Sequence, residues 1–144
     1  KLYHENLLVE PGGVELAGVP IDLTTVDLPV YIQATRDDHI APFRSVYKAT
    51  QIYSGDVTFM LAGSGHIAGV INPPKAKKYG YWTHDELPPD PDEWLDDADY
   101  HTGSWWPHWN EWIKQYAGPR VPARVPGDGE LDVIEPAPGR YVRG

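Results

Sequence analysis

Two apolar runs, Val30-Tyr31-Ile32-Gln33-Ala34-Thr35 and Val57-Thr58-Phe59-Met60-Leu61-Ala62, constrain the fold of this chain more than any other feature. The first is rich in the β-branched and aromatic residues that favour strands. The second is almost continuously hydrophobic, which suits a strand covered on both faces. Between them, Pro42 is tolerated at the start of a helix because its missing N–H would have no intrahelical partner there. Phe43, Val46, Tyr47 and Thr50 then share one helical face. Strand, helix and strand within about 33 residues predict a βαβ unit with parallel strands.

Two strands alone leave unpaired backbone at both edges and too little apolar cover, so the rest of the sheet is expected from elsewhere. The fold class that follows is α/β, with additional helices around the βαβ unit and an extended tail. Leu2 to Val9 reads as a short helix or its end, closed by Pro11, Gly12 and Gly13. Val14 to Val19 reads as a brief strand or an extended approach. A helix over Pro91 to Tyr100 would carry Trp94 and Leu95 inward. Another, opened by Pro107 and closed by Gly118, sets Trp109, Trp112, Ile113 and Tyr116 on one face. Proline and glycine are dense after Gly118, which divides the chain into a folded part, residues 1–117, and a tail, residues 118–144.

A formal charge of −9 argues against binding nucleic acid, which needs clustered Lys and Arg to displace phosphate counterions. Much of that charge is local: Asp85, Glu86, Asp90, Asp92, Glu93, Asp96, Asp97 and Asp99 form one acidic segment, read as a solvated surface. No apolar stretch approaches the roughly 20 residues that span a bilayer, and no signal-peptide pattern is visible. The chain has no cysteine, which excludes internal disulfides and is compatible with the cytoplasm.

If the two runs are parallel strands, the loops that follow them, RDDHIAPF and GSGHIAGVINPP, emerge at the same rim of one sheet. Ligands in open α/β sheets bind at the carboxyl ends of strands. An acid from the first loop, Asp37 or Asp38, and His66 from the second would supply two members of a nucleophile, base and orienter set. Glycines at 63, 65 and 69 let the second loop turn tightly. The third member is missing. Ser64 lacks the flanking spacing of a nucleophile turn, and no such turn precedes Asp38.

Other chemistry is weaker. His84, His101 and His108 lie near carboxylates, but without the helical spacing of a zinc site, so no metal and no other cofactor is expected. His39, beside the acid, is a candidate for substrate contact. Trp105, Trp106, Trp109 and Trp112 could form a stacking platform, although aromatic residues at helical spacing more often pack in a core or interface.

The segments RDDHIAPF, GSGHIAGVINPP, GSWWPHW and IEPAPGRYV resemble the C-terminal region of class I polyhydroxyalkanoate synthases, the bacterial polyester polymerases, and the likeness runs almost from end to end. Thr35 and Ala41 depart from the residues that similar proteins carry, without touching either catalytic position. The resemblance implies the C-terminal portion of an α/β-hydrolase-like fold with a cysteine, aspartate and histidine triad. Asp38 and His66 match the family's aspartate and histidine, and the cysteine is expected upstream of Lys1. It also implies transfer of (R)-3-hydroxyacyl groups from coenzyme A thioesters to a growing polyester chain. Asp38 would either hold the His66 tautomer or assist deprotonation of the attacking hydroxyl. A homodimeric complete enzyme, cytoplasmic and associated with polyester granules, is implied as well, and the 144 residues alone should be inactive. Two rivals compete: a non-catalytic polymer- or granule-binding module built on the tryptophans, and a hydrolase using Ser64.

Overall fold

A computed structural model describes residues 2–144 as a mixed α/β structure. A small hairpin comes first, β1 (Glu15–Leu16) against β2 (Val19–Pro20), joined through Ala17 and Gly18, both at positive φ. The main sheet has four strands: β3 (Val30–Thr35), β4 (Val57–Ala62), β5 (Gly80–Thr83) and β6 (Asp99–Thr102), in that spatial order. β3 and β4 are parallel and in register from Val30–Val57 to Thr35–Ala62. β5 is antiparallel to β4, and β6 to β5.

Three helices accompany the sheet: α1 (Phe43–Tyr47), extended by a 3₁₀ turn to Gln51, α2 (Pro91–Asp97) and α3 (Trp106–Lys114). The alternation of side chains along strands decides what each helix covers. Ala34, Phe59 and Leu61 point to one face and pack with Phe43, Tyr47 and Trp94 from α1 and α2. Phe59 and Trp94 meet edge to face at 4.8 Å, and Tyr47 closes on Phe59 at 4.9 Å. Arg44 and Asp92 tie α1 to α2 at the surface through a forked ion pair. The opposite face carries Tyr31 and Tyr81, and there α3 lies across the sheet. Tyr31 packs against Trp105, His108 and Trp112, and its hydroxyl pairs with Nδ1 of His108 at 2.7 Å.

The βαβ unit and the inward face of its helix stand where the periodicity places them: Phe43, Tyr47 and Thr50 are buried and Val46 is half-buried. The expected acidic surface is exposed at all eight carboxylates.

Three expectations are corrected. The βαβ unit is not left with two strands, because β5 and β6 extend the sheet beyond β4 and leave β3 at its other edge. The helix from Pro91 stops at Asp97, and Asp99–Thr102 turns into a strand that pairs Tyr100 with Trp82 and stacks His101 on Tyr81 at 4.8 Å. Leu2 to Val9 holds a single 3₁₀ turn, Leu7–Val9. Residues 118–144 contain no strand or α-helix, only a 3₁₀ turn at Tyr141–Arg143, and nearly all are exposed. No helix among the described residues is long and apolar enough to cross a membrane.

Candidate active site

The parallel pairing of β3 and β4 sends both following loops out at one rim. Backbone bonds continue the ladder past the strand ends, from Arg36 N–H to the Ala62 carbonyl (2.8 Å) and from Asp37 N–H to the Ser64 carbonyl (3.0 Å). Asp38 begins a local turn in which its Oδ1 accepts from the N–H groups of Ile40 (2.8 Å) and Ala41 (2.9 Å). Side chains of this type readily bond backbone two residues ahead, which is why the chain turns here before α1.

The second loop reverses direction through Ser64, a non-glycine residue in the left-handed region at φ 75°. After His66 it makes one helical turn, with Gly69 N–H on the Gly65 carbonyl and Ile71 N–H on the Ile67 carbonyl. Gly69 has to be glycine: a Cβ there would lie 2.6 Å from both the Gly63 carbonyl oxygen and Cγ2 of Thr35. The loop thereby seats directly on the end of β3.

These two turns bring Asp38 and His66 together, with Oδ2 2.7 Å from Nδ1. The Asp38 side chain is 7% exposed and that of His66 48%, so a shielded acid supports an accessible imidazole. The N–H of Ala41 above all, then His66 and the N–H of Ile40, hold the Asp38 carboxyl down to about 2, against the opposing effect of burial. At neutral pH this carboxylate can only accept. Nδ1 therefore carries the proton, which leaves the lone pair of the neutral ring on Nε2. A hydrogen-bonded acid fixing an imidazole with an open Nε2 is the geometry of a general base.

Of the other residues singled out, Asp37 points its carboxylate toward Arg36 at 3.9 Å, so the structure distinguishes the two acids. His39 is exposed in the same loop, and no hydrogen bond joins it to Asp38 or His66 among the described residues. Ser64 makes no hydrogen bond to His66 there either, the Nδ1 side being occupied by Asp38. Among the described residues no group of three or more His, Asp or Glu gathers as a metal site. His101 instead bonds Oγ1 of Thr83 at 2.8 Å.

Of the expected core or interface role for the tryptophans, the core does not hold within this chain. Trp106 and Trp109 are exposed, Trp105 and Trp112 half-buried, and α3 holds no buried residue. Trp105, Trp106 and Trp109 line an open apolar groove of about 500 Å³ with Val70 and Ile71. Val70 also borders a smaller cavity of about 160 Å³ that contains Asp38 and His66. The groove and the acid–histidine pair thus share a wall. Sequence periodicity placed Trp109 and Trp112 on a helix opened by Pro107, left Trp105 and Trp106 ahead of it, and carried no signal for what the indole N–H groups reach; the helix in fact begins at Trp106.

No family model matches the chain. Individual relatives do. It is 46% identical over 143 residues to the poly(3-hydroxyalkanoate) polymerase subunit PhaC of Cupriavidus necator, and 49% identical over 141 residues to that of Rhizobium meliloti. It is 47% identical over 142 residues to the poly(3-hydroxyalkanoate) polymerase of Methylorubrum extorquens. Each match takes in 98% of this chain but only 23–24% of the relative, so the chain spans about a quarter of the length of the curated relatives it matches. At 46–49% identity over 98% of its length, the chain is homologous to a stretch about a quarter the length of these poly(3-hydroxyalkanoate) polymerases.

Proposed function

We propose that these residues supply the acid and the base of a cysteine-dependent polyester synthase with an α/β-hydrolase-like core. The nucleophilic cysteine comes from a part of the polymerase outside the 144 residues. The observation that carries this reading is the 2.7 Å contact between Asp38 and His66 at the carboxyl rim of parallel strands, in a chain homologous to part of these polymerases.

The chemistry balances with the groups named. Nε2 of His66 takes the thiol proton, and the thiolate attacks the carbonyl of an (R)-3-hydroxyacyl coenzyme A thioester. The carbon–sulfur bond to coenzyme A breaks, and the departing thiolate recovers the proton from the imidazolium. A hydroxyl at the end of an acyl chain then gives its proton to His66 and attacks the acyl-enzyme, which lengthens the polyester by one unit and frees the cysteine. Asp38 orients the ring and stabilises its charged form. This role suits a carboxylate whose two oxygens already serve Nδ1 and two backbone N–H groups. No cofactor enters the scheme. A homodimeric enzyme working at the surface of cytoplasmic polyester granules belongs to the same reading, with His39 as a contact to substrate.

The test uses the complete polymerase. His66→Gln and Asp38→Asn are expected to fold and to release coenzyme A about a thousandfold more slowly or worse. The 144 residues alone should release none. Polymerisation at close to the parent rate by the His66 variant would refute the assignment. A second reading draws on the apolar groove: a module that grips polyester through its tryptophans without chemistry. It predicts that Trp109→Ala weakens binding to polymer while His66→Gln leaves every measured property unchanged.

A further inference from the structure

The imidazole of His66 is held at one atom. Its other nitrogen has no partner among the described residues, and the ring is half in solvent. Its aim toward a reacting sulfur therefore depends on the backbone of its loop. Before the histidine, that backbone is fixed by Gly63 N–H on the Gly80 carbonyl (2.7 Å) and by the Ser64 carbonyl under Asp37 N–H. After it, the constraint comes from another part of the fold. Nε1 of Trp105 donates to the carbonyls of Gly69 (3.1 Å) and Val70 (3.2 Å), and Nε1 of Trp106 donates to Val70 (3.0 Å).

Two indole N–H groups from adjacent residues thus converge on the last carbonyls of the turn that His66 begins. The Val70 carbonyl also accepts from Asn72 N–H at 3.1 Å, and the two indoles add donors from outside the turn. Trp106 is 37% exposed, so its N–H is engaged although its ring is incompletely packed. Trp105 in turn stacks on Tyr31 of β3, ring centres 6.5 Å apart. The strand that leads into Asp38 therefore also references, through Tyr31 and Trp105, the far side of the loop that carries His66. Both partners of the acid–histidine pair are measured from one rigid element, which is what a site held to sub-ångström tolerance requires.

We propose that Trp105 and Trp106 are positioning residues for His66, their paired indole N–H groups locking the turn that aims the imidazole. The proposal rests on the reading of His66 as the general base, and the experiment separates the two. In the complete polymerase, Trp105 and Trp106 are both changed to Phe. In a second variant both are replaced by 3-benzothienylalanine, which keeps the indole shape and lacks the N–H. Two quantities are followed: kcat against KM for the acyl thioester, and the downfield proton resonance of Nδ1–H of His66, identified by its loss in His66→Gln.

The expected result is a fall in kcat of about tenfold or more, with KM within about twofold of the parent, and a broadened or shifted Nδ1–H resonance. Should the Phe variant fail to fold, the shape-preserving variant decides. An unchanged resonance overturns the proposal whatever happens to the rate; a slowed enzyme with that resonance intact would mean that the tryptophans act on substrate through the groove. A changed resonance with an unchanged kcat overturns the proposal that this lock aims the base, whereas His66 as the base is refuted separately, by His66→Gln turning over at close to the parent rate.

Discussion

Nδ1 of His66 and Oδ2 of Asp38 lie 2.7 Å apart although 28 positions separate them in the chain. The contact is a product of parallel strand pairing. Thr35 and Ala62 are cross-strand partners at the ends of β3 and β4, so the residues three and four positions beyond each strand start from neighbouring points. A carboxylate that also accepts two backbone N–H bonds has little freedom, and it transmits that rigidity to the imidazole.

The depressed Asp38 carboxyl makes stability depend on acid. Its value in the folded protein, about 2, lies below its ordinary 3.8, so the unfolded chain binds more protons between the two. The stabilisation is complete above about pH 4 and is lost as the pH falls toward 2. Asp38→Asn should be less stable than the parent near neutrality, and the gap should close across that window. Urea unfolding followed by circular dichroism at several pH values measures it; a gap that does not vary with pH would count against this account.

Trp94 anchors the face of the sheet opposite α3. Its side chain has no solvent exposure, it meets Phe59 edge to face, and its Nε1 finds no hydrogen-bond partner among the described residues. Trp94→Ala should cost about 3–5 kcal/mol through the cavity it leaves. Trp94→Phe should cost distinctly less, because it keeps a ring in contact while removing a buried donor that is unpaired. Denaturation midpoints compare the two, and equal losses would show that the indole N–H is satisfied.

On the other face, Tyr31 and His108 bind α3 to β3. Burial first, and then the neighbouring His101, hold His108 below its ordinary 6.5, while burial and Tyr81 push the Tyr31 hydroxyl well above 10. With His108 neutral, the Tyr31 hydroxyl can donate to Nδ1; a second proton on the ring removes that acceptor. The folded protein resists a proton that the unfolded chain accepts near 6.5, so this contribution is present above that pH and is lost as the pH falls through the lower value. Tyr31→Phe should cost about 1 kcal/mol at pH 8. His108→Gln should flatten the fall in stability between pH 7 and 5, and a slope identical to the parent's would exclude His108 as its source.

Much of the frame was legible in the letters. Val30–Thr35 and Val57–Ala62 are dense enough in strand-forming and apolar residues to declare themselves, and Phe43, Val46, Tyr47 and Thr50 mark a helical face without ambiguity. Those three elements already put Asp38 and His66 on adjacent loops. β5 and β6 were not legible. Gly80–Thr83 is only four residues long, and Asp99–Thr102 is polar enough to read as the continuation of an acidic helix. What makes strands of them is pairing: Trp82 on Tyr100 and Tyr81 on His101 exist only once the two segments lie side by side.

The sequence by itself determined the parallel βαβ unit, the rim from which an acid and an imidazole emerge, and the likeness to polyester polymerases, because periodicity and motif identity are local and survive in one dimension. The resemblance pointed to Asp38 over Asp37, and the tertiary structure shows its carboxylate on the imidazole; only the tertiary structure decided that β5 and β6 extend the sheet and that tryptophans some 40 positions downstream bond the histidine loop. Those outcomes turn on hydrogen-bond geometry between distant segments, where a few tenths of an ångström separate a bond from a near miss and residue type alone carries no distance.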